Sequence, residues 1–307
     1  MRRLRSASLL ALLALPAPCL PGVAAPPQPE RPAAPLVALE RRIGGRLGVC
    51  AVDTGSGRRL DHRSGERFPL CSTFKALLGG LVLARVDAGR EVLDQRLAYT
   101  RADLVPHSPV TGAHVAEGAM TVGDLCAATI QESDNAAANL LLARLGGPAA
   151  LTAYLRSLGD GISRLDRREP ELNSALPGDL RDTTTPAAMA ATLRTLLLGE
   201  ALTPASRQRL EAWMRGATTG KAKLRAGLPA DWPVGDKTGA GDFGTMNDVA
   251  ILRPPGRAPI VVTVYLTGSK ASWADREAVI AEVGRLVART FGGRVPRKAF
   301  SKVPTGA

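Results

Sequence analysis

Strand-forming segments lie near both ends of this 307-residue chain, and the segment between them has the pattern of helices. Residues 46–68 contain an extended apolar run, a Thr-Gly-Ser-Gly turn and a second strand, which predicts a β-hairpin. Residues 234–268 predict three more strands, and a helix follows them. We therefore expect an α+β fold: a five-stranded antiparallel sheet flanked by helices, built from both chain ends, with an all-α domain inserted.

Residues 163–186 interrupt the helical middle with a polar loop that contains proline and glycine. A loop of this length inside a compact domain is usually functional. The expected organisation is a signal peptide at 1–25, a linker at 26–34, an α/β sheet domain at 35–70 and 216–291, an inserted all-α domain at 71–215 and a disordered basic tail at 292–307.

The first 25 residues have the pattern of an export signal. Arg2 and Arg3 are basic, an apolar run extends from Leu9 to Leu15, and small residues follow at 22–25. The apolar run is too short to span a membrane. We expect a periplasmic protein with its leader cleaved and no membrane span. The sequence leaves open whether export uses the Sec or the twin-arginine route.

The formal net charge of +12 comes from dispersed lysines and arginines rather than from a dense basic run. This pattern argues against nucleic-acid binding and indicates a basic surface that attracts small anionic substrates. His62 and His114 have no histidine, cysteine or aspartate partner at metal-ligand spacing. We therefore expect neither a metal nor another cofactor.

Ser72 and Lys75 form the first of three short motifs that could carry chemistry. Ser72 would lie at a helix N-terminus, where free N–H groups and the helix dipole favour negative charge. Lys75 lies on the same helix face and could accept the hydroxyl proton. By itself the motif also fits a capping serine and a surface lysine.

The second motif is Ser133-Asp134-Asn135 at a predicted helix start, where a hydroxyl and an amide could relay a proton and hold a substrate. An ordinary N-cap is the alternative. The third runs from Lys237 to Gly241 at the end of a strand. There the Ala240 N–H could face an oxyanion while Lys237 and Thr238 face a carboxylate, and the alternative is a plain strand end.

In this order and spacing the three motifs resemble those of class A serine β-lactamases and penicillin-binding proteins. The resemblance to class A β-lactamases covers roughly residues 35–291, and residues 164–173 with 181–186 resemble that family's omega loop. It implies that Glu169 activates the deacylating water, that Asn173 helps to hold this water, and that Arg167 and Asp182 form an ion pair.

The resemblance also implies how the acyl-enzyme forms. Ser72 would attack the lactam carbonyl, and the N–H groups of Ser72 and Ala240 would form the oxyanion hole. Lys75, or Glu169 through a water, would accept the proton, which is a disputed point in this family. Ser133 would protonate the leaving nitrogen with support from Lys237. The implied substrate-binding residues are Asn135, Asn173, Thr238, Gly239, Lys223 and His107.

Several positions depart from patterns found in the family. Met246 stands where some members have an arginine that binds the substrate carboxylate. We expect Lys223 to take this role, with Arg225 and Arg276 as further candidates, and a plain surface lysine is the alternative for Lys223. His107 occupies a position at the pocket rim where an aromatic residue is common, and it either stacks on the substrate or is a plain loop residue.

The mature chain would keep three cysteines, Cys50, Cys71 and Cys126. In carbapenem-hydrolysing relatives the position of Cys71 pairs with a cysteine that corresponds here to Gly241. In other relatives the position of Cys126 pairs with a residue that corresponds here to Gly79. We therefore expect three thiols packed as small apolar groups, and we expect less efficient carbapenem turnover.

The sequence predicts a monomeric, metal-free serine β-lactamase that acts on penicillins and cephalosporins and confers resistance to them. The preferred drug subclass and inhibitor sensitivity stay open. Two alternatives share the first three motifs: a D-Ala-D-Ala peptidase and a penicillin sensor that stays acylated. The pair of Glu169 and Asn173 argues against both.

Overall fold

Nine strands are present in the computed structural model, which describes residues 34–292. In chain order they are β1 (Arg46–Asp53), β2 (Arg59–His62), β3 (Phe68–Pro69), β4 (Arg96–Ala98), β5 (Ala119–Thr121), β6 (Thr183–Thr184), β7 (Val234–Gly241), β8 (Thr245–Leu252) and β9 (Ile260–Thr267).

Five of these strands form the main sheet in the order β2-β1-β9-β8-β7, and every neighbouring pair is antiparallel. The first strand of the chain pairs with the last along its whole length, with Val49 opposite Val264. The two chain ends therefore share one sheet, and the predicted fold class is confirmed.

Ten α-helices surround this sheet in the described part of the chain, together with four short 3-10 turns at Cys71–Thr73, Arg101–Asp103, Val115–Glu117 and Glu171–Ser174. The helices are α1 (Ala34–Ile43), α2 (Phe74–Asp87), α3 (Pro109–Ala113), α4 (Val122–Gln131), α5 (Asn135–Leu145), α6 (Pro148–Ser157), α7 (Pro186–Leu198), α8 (Pro204–Arg215), α9 (Leu224–Gly227) and α10 (Trp273–Phe291).

The sheet is buried on both faces because its residues alternate between two apolar clusters. On β9, Val261 and Tyr265 join the cluster that includes the central helices, whereas Val262 and Val264 join the cluster with α1 and α10. Successive side chains of a strand point to opposite faces. A strand covered on both sides reads as a nearly continuous apolar run, as β9 does.

Helix α2 lies in the middle of the larger cluster, and its first ten residues are all buried. A helix that is apolar on every side must be enclosed by other elements. A Cβ added at Gly80 would lie only 2.9 Å from a methyl of Leu196 on α7. The missing side chain at this position lets α7 pack closely against α2.

Two short ladders were not predicted: β3 with β6, and β4 with β5. Two- and three-residue strands are too short to show an alternating pattern. The pairing of Phe68 with Thr184 joins the end of the 163–186 loop to the segment just before Ser72.

No helix within residues 34–292 is both long and apolar enough to cross a membrane. The expected signal peptide, all but the last residue of the linker, and the basic tail beyond Gly292 lie outside the described residues. The division into a sheet domain and an inserted helical domain stays a prediction.

Candidate active site

Ser72 lies in a cleft of about 360 Å³. It belongs to the 3-10 turn that leads into α2, and the preceding residue, Cys71, has a φ of 42°. Positive φ is uncommon for a non-glycine residue and is concentrated at functional sites. The cleft is lined by Ser72, His107, Ser133, Asn135, Asn173, Thr219, Lys223, Thr238, Gly239, Ala240 and Trp273.

The hydroxyl of Ser72 donates a hydrogen bond to Glu169, with 3.3 Å between Ser72 Oγ and Glu169 Oε1. Lys75 approaches the same carboxylate oxygen, with its Nζ at 3.0 Å. The Lys75 ammonium also donates hydrogen bonds to Ser133, to its carbonyl oxygen and, at 3.5 Å, to its hydroxyl. A further hydrogen bond from Lys75 reaches Oδ1 of Asn135. A serine hydroxyl that is hydrogen-bonded to a carboxylate, itself paired with a lysine, can act as an activated nucleophile.

Two asparagines hold Glu169 in place. Asn173, in the following 3-10 turn, donates its side-chain amide to Oε2 of Glu169. Asn139, on α5, accepts from the Glu169 backbone N–H at 3.0 Å and donates to its carbonyl at 2.8 Å. Asn173 is predicted from the sequence but Asn139 is not, because its contact with Glu169 forms only when the 163–186 loop folds against α5.

Ser133 lies between Lys75 and Lys237. Lys237 Nζ donates to Ser133 Oγ at 3.0 Å and to the carbonyl of Thr238 at 2.8 Å. Ser133 has a φ of 59°, so its turn is held in an uncommon backbone conformation. The second and third motifs therefore meet at one hydroxyl.

Burial shifts the pKa values of both lysines. Loss of solvent lowers the pKa of Lys75, and the charge of Glu169 opposes this shift. The pKa of Lys237 is lowered to about 7, mainly by loss of solvent and to a smaller extent by repulsion from the charge of Lys75. An amine with a lowered pKa is more often neutral at neutral pH, so it can take part in proton transfer.

Asp134 is buried and is the N-cap of α5, the alternative role predicted for this motif. Its carboxylate accepts hydrogen bonds from the backbone N–H groups of Val110, Thr111 and Ala137 and from the Thr111 hydroxyl. These bonds tie the start of α5 to α3. The carboxylate thereby supports the turn that presents Ser133.

The 163–186 loop is closed at its base by the expected ion pair. Arg167 Nε lies 2.6 Å from Asp182 Oδ2, and Asp182 Oδ1 accepts from the backbone N–H groups of Asp166 and Arg167. Asp166 in turn accepts from the Asp182 N–H. This closure joins the two ends of the segment that carries Glu169.

Strand β7 forms the opposite wall of the cleft. A Cβ built on Gly239 would lie 3.2 Å from the backbone nitrogen of Ser72, so the strand passes directly beside the start of the nucleophile helix. Thr238 shares a 2.6 Å hydrogen bond with the hydroxyl of Thr219, which was not predicted as a site residue. Across the cleft, Asn135 donates its amide to the carbonyl of Pro106.

Of the three basic candidates, only Lys223 lines the cleft. Its Nζ contacts Glu277 at 3.0 Å and the Thr219 carbonyl at 3.1 Å. Arg225 instead donates to Asp236 at 2.7 Å, and Arg276 lies over the ring of Trp273. Met246 is buried in the apolar cluster on the far face of the sheet.

His107 lies at the exposed rim of the cleft with a φ of 61°. Its Nε2 is 3.1 Å from the carbonyl of Glu132, and its own carbonyl accepts from the N–H of Asn135. The backbone of His107 thus fastens the rim loop to α5, and its ring borders the cleft.

Cys50, Cys71 and Cys126 are buried thiols. A Cβ built on Gly241 would lie 2.8 Å from Cys71 Sγ, so these two positions face each other as the resemblance implied. Gly79 is packed instead against Ile130 and Leu210. Burial raises the pKa of each thiol, which keeps it protonated.

Comparison with known proteins assigns the chain to a family. The model of the β-lactamase enzyme family matches residues 32–291. The chain is 53% identical over 256 residues to β-lactamase L2 of Stenotrophomonas maltophilia, covering 83% of this chain and 84% of that protein. It is 51% identical over 261 residues to the carbapenem-hydrolysing β-lactamase KPC of Klebsiella oxytoca, covering 85% and 89%.

The solved structures agree. An ancestral class A β-lactamase of Gram-negative bacteria superposes with a TM-score of 0.84 at 65% identity, covering 85% of this chain and all of that one. The family model spans the described fold, and the two named relatives share about half of their aligned residues with this chain. The chain belongs to the β-lactamase enzyme family, and within it to the class A β-lactamases.

Proposed function

We propose that the protein hydrolyses the β-lactam amide of penicillins and cephalosporins through an acyl-enzyme on Ser72, which a water activated by Glu169 then releases. One observation carries the proposal. A single carboxylate, that of Glu169, is contacted by the Ser72 hydroxyl and the Lys75 ammonium on one oxygen and by the Asn173 amide on the other.

In the first half of the reaction, Ser72 Oγ attacks the lactam carbonyl and loses its proton. The Glu169 carboxylate, 3.3 Å from the hydroxyl, can accept this proton directly or through a water, and Lys75, which contacts the same carboxylate oxygen, can accept it when its amine is neutral, the form that its lowered pKa favours. The proton then reaches the leaving nitrogen from Ser133, whose hydroxyl lies between Lys75 and Lys237. The developing oxyanion is stabilised by the N–H groups of Ser72 and Ala240.

Substrate binding uses the two walls of the cleft. Thr238 and Lys223 line the cleft and supply a hydrogen-bonding, positive surface for the carboxylate common to these drugs, and Lys237, buried behind Ser133 and Thr238, adds its charge. Asn135 holds the amide of the acyl side chain, Gly239 lets the drug approach β7 closely, and the His107 ring borders the side-chain region.

In the second half of the reaction, Glu169 removes a proton from the water that attacks the ester. Oδ1 of Asn173 is buried and has no hydrogen-bond partner among the described residues, although the Nδ2 of the same amide holds Glu169. A buried acceptor beside a carboxylate is suited to holding a water. This arrangement separates a hydrolase from a protein that stays acylated.

We propose that the protein is exported, acts as a periplasmic monomer without a metal or another cofactor, and confers β-lactam resistance. A D-Ala-D-Ala peptidase or a penicillin sensor would need Ser72 but not the triangle of Glu169, Asn173 and Asn139, and this triangle favours the hydrolase.

The test is steady-state hydrolysis of benzylpenicillin and a chromogenic cephalosporin, with intact-mass spectra recorded in parallel. The proposal requires many turnovers per protein and an adduct that does not persist. A stoichiometric, lasting adduct would overturn it in favour of the sensor or peptidase. Ser72→Ala should lose both adduct and turnover, whereas Ser157→Ala, exposed on α6, should keep both.

A further inference from the structure

Trp273 is a large aromatic residue that lines the cleft although half of its surface is exposed. It is the first residue of α10, its exposed fraction is 51%, and it borders the same cleft as Ser72 and Thr238. It belongs to none of the sequence motifs described above. Binding pockets are commonly lined by aromatic side chains together with a few polar groups.

Two cations hold the ring in position. Lys223 Nζ lies 5.6 Å and Arg276 Cζ 5.5 Å from its centre, both within the range of cation–π attraction. Lys223 is itself fixed by Glu277, on the same helix as Trp273. The indole is therefore a preorganised surface, which costs little side-chain entropy when a ligand binds.

The indole of Trp273 lies next to the residues proposed to bind the drug carboxylate, and this position indicates which part of a drug the indole contacts. Under the proposed function, the drug carboxylate lies against Lys223 and Thr238, next to the indole. In a cephalosporin, the substituent at C3 is attached to the ring carbon adjacent to the one that bears the carboxylate. In a penicillin, the corresponding carbon carries only methyl groups.

We infer that Trp273 is a specificity-determining residue whose indole binds the C3 substituent of cephalosporins and favours planar, aromatic substituents. This inference rests on the proposed function of the cleft. A planar substituent stacks on the indole, and the contact strengthens because Lys223 and Arg276 restrict the ring.

The test compares nitrocefin with cephalothin, which share a thienylacetyl side chain and differ at C3 by a dinitrostyryl against an acetoxymethyl group. Trp273→Ala should lower the ratio of their kcat/KM values roughly five- to tenfold, the effect of one lost aromatic contact. Trp273→Phe should restore much of the ratio. Phe243→Ala, which removes a ring of similar exposure (49%) outside the cleft lining, should leave the ratio unchanged.

Two outcomes would overturn the inference. An unchanged ratio in Trp273→Ala would mean that the indole does not touch the C3 group. A parallel loss for nitrocefin, cephalothin and benzylpenicillin would mean that the ring only positions Lys223, since all three carry the carboxylate. Failure of the wild-type protein to turn over any of them would instead reject the proposed function.

Discussion

The Nζ of Lys75 lies 3.0 Å from Oε1 of Glu169, and both side chains are fully buried. A buried ion pair of this kind is costly to dehydrate and needs further hydrogen bonds to persist. Here the two groups are also held by Asn173 on one side and by Asn135 and the Ser133 carbonyl on the other. The pair is therefore a fixed centre from which protons can be moved to or from Ser72.

Replacement of Glu169 by glutamine should uncouple the two halves of the reaction. Acylation by benzylpenicillin continues through Lys75, but the ester persists because no carboxylate activates the water. Steady-state turnover should fall by about 10²–10⁴-fold, the usual value of general-base help. Intact-mass spectra should then show a stable adduct of one drug per protein.

Glu171→Gln is the matched control, since Glu171 is an exposed acid of the same loop two residues away. It should keep wild-type turnover. Equal losses in both variants would point to the charge of the loop as a whole, and unchanged turnover in Glu169→Gln would reject the water-activating role.

The pH dependence should reflect the lowered pKa of Lys237. Burial and the neighbouring Lys75 bring this pKa to about 7, so the ammonium is charged below that pH and neutral above it. An anionic substrate binds the charged form. The value of kcat/KM for benzylpenicillin, which reports the free enzyme, should therefore fall as pH rises through about 7.

Lys237→Arg tests this assignment, because a guanidinium stays charged throughout the range. Whatever the absolute rate of this variant, the fall of its kcat/KM with rising pH should move to higher pH or disappear. If kcat/KM of the variant still falls near the same pH, the titrating group is Lys75 instead.

The ion pair at the base of the 163–186 loop should contribute measurably to stability. Asp182→Asn keeps the size of the side chain and its tolerance of a φ of 53°, but it removes the acceptor of Arg167 Nε. We expect the free energy of unfolding, measured in urea, to fall by ~2 kcal/mol, because a charged hydrogen bond is lost and the half-buried Arg167 guanidinium keeps no acceptor at Nε.

Asp179→Asn makes the same change at a second carboxylate near Arg167, 3.7 Å away. This contact is longer, and the other ion pair of Asp179, at 2.8 Å, is with the half-exposed Arg181, so the loss of both should cost under ~1 kcal/mol. Similar losses for both variants would contradict a dominant role of Asp182.

The facing positions of Cys71 and Gly241 should accept a disulfide. A Cβ at Gly241 would lie 2.8 Å from Cys71 Sγ, a separation suited to a bridge, but only 2.5 Å from the carbonyl oxygen of Asn173. Gly241→Cys should therefore form the bridge under mild oxidation while the Asn173 backbone shifts. Intact mass should show the loss of two hydrogens, and thiol titration after unfolding should show two fewer thiols than in the reduced variant.

Gly65→Cys is the control, because a side chain there meets no atom within 4 Å. Its new thiol should stay titratable after the same treatment. If the Gly241→Cys thiol also stays free, the Asn173 carbonyl does not yield and the position is closed to side chains.

Sequence patterns were informative wherever the cause of a structure is local. The strand pattern at both chain ends predicted one shared sheet, because paired strands must bury their apolar residues together. Ser72 and Lys75 were predicted to share a helix face because three residues make about one turn. The 163–186 loop was recognised from its length and from the residues around Glu169.

What the sequence by itself determined is therefore the order of elements, the sheet and the residues of the four motifs. The tertiary structure alone decided which distant groups meet: Asn139 with Glu169, Thr219 with Thr238, and Trp273 with Lys223. It also selected Lys223 over Arg225 and Arg276 as the cation of the cleft. The physical reason is that these contacts join segments 19 to 50 positions apart, and their geometry depends on how helices and loops pack on the sheet rather than on local periodicity.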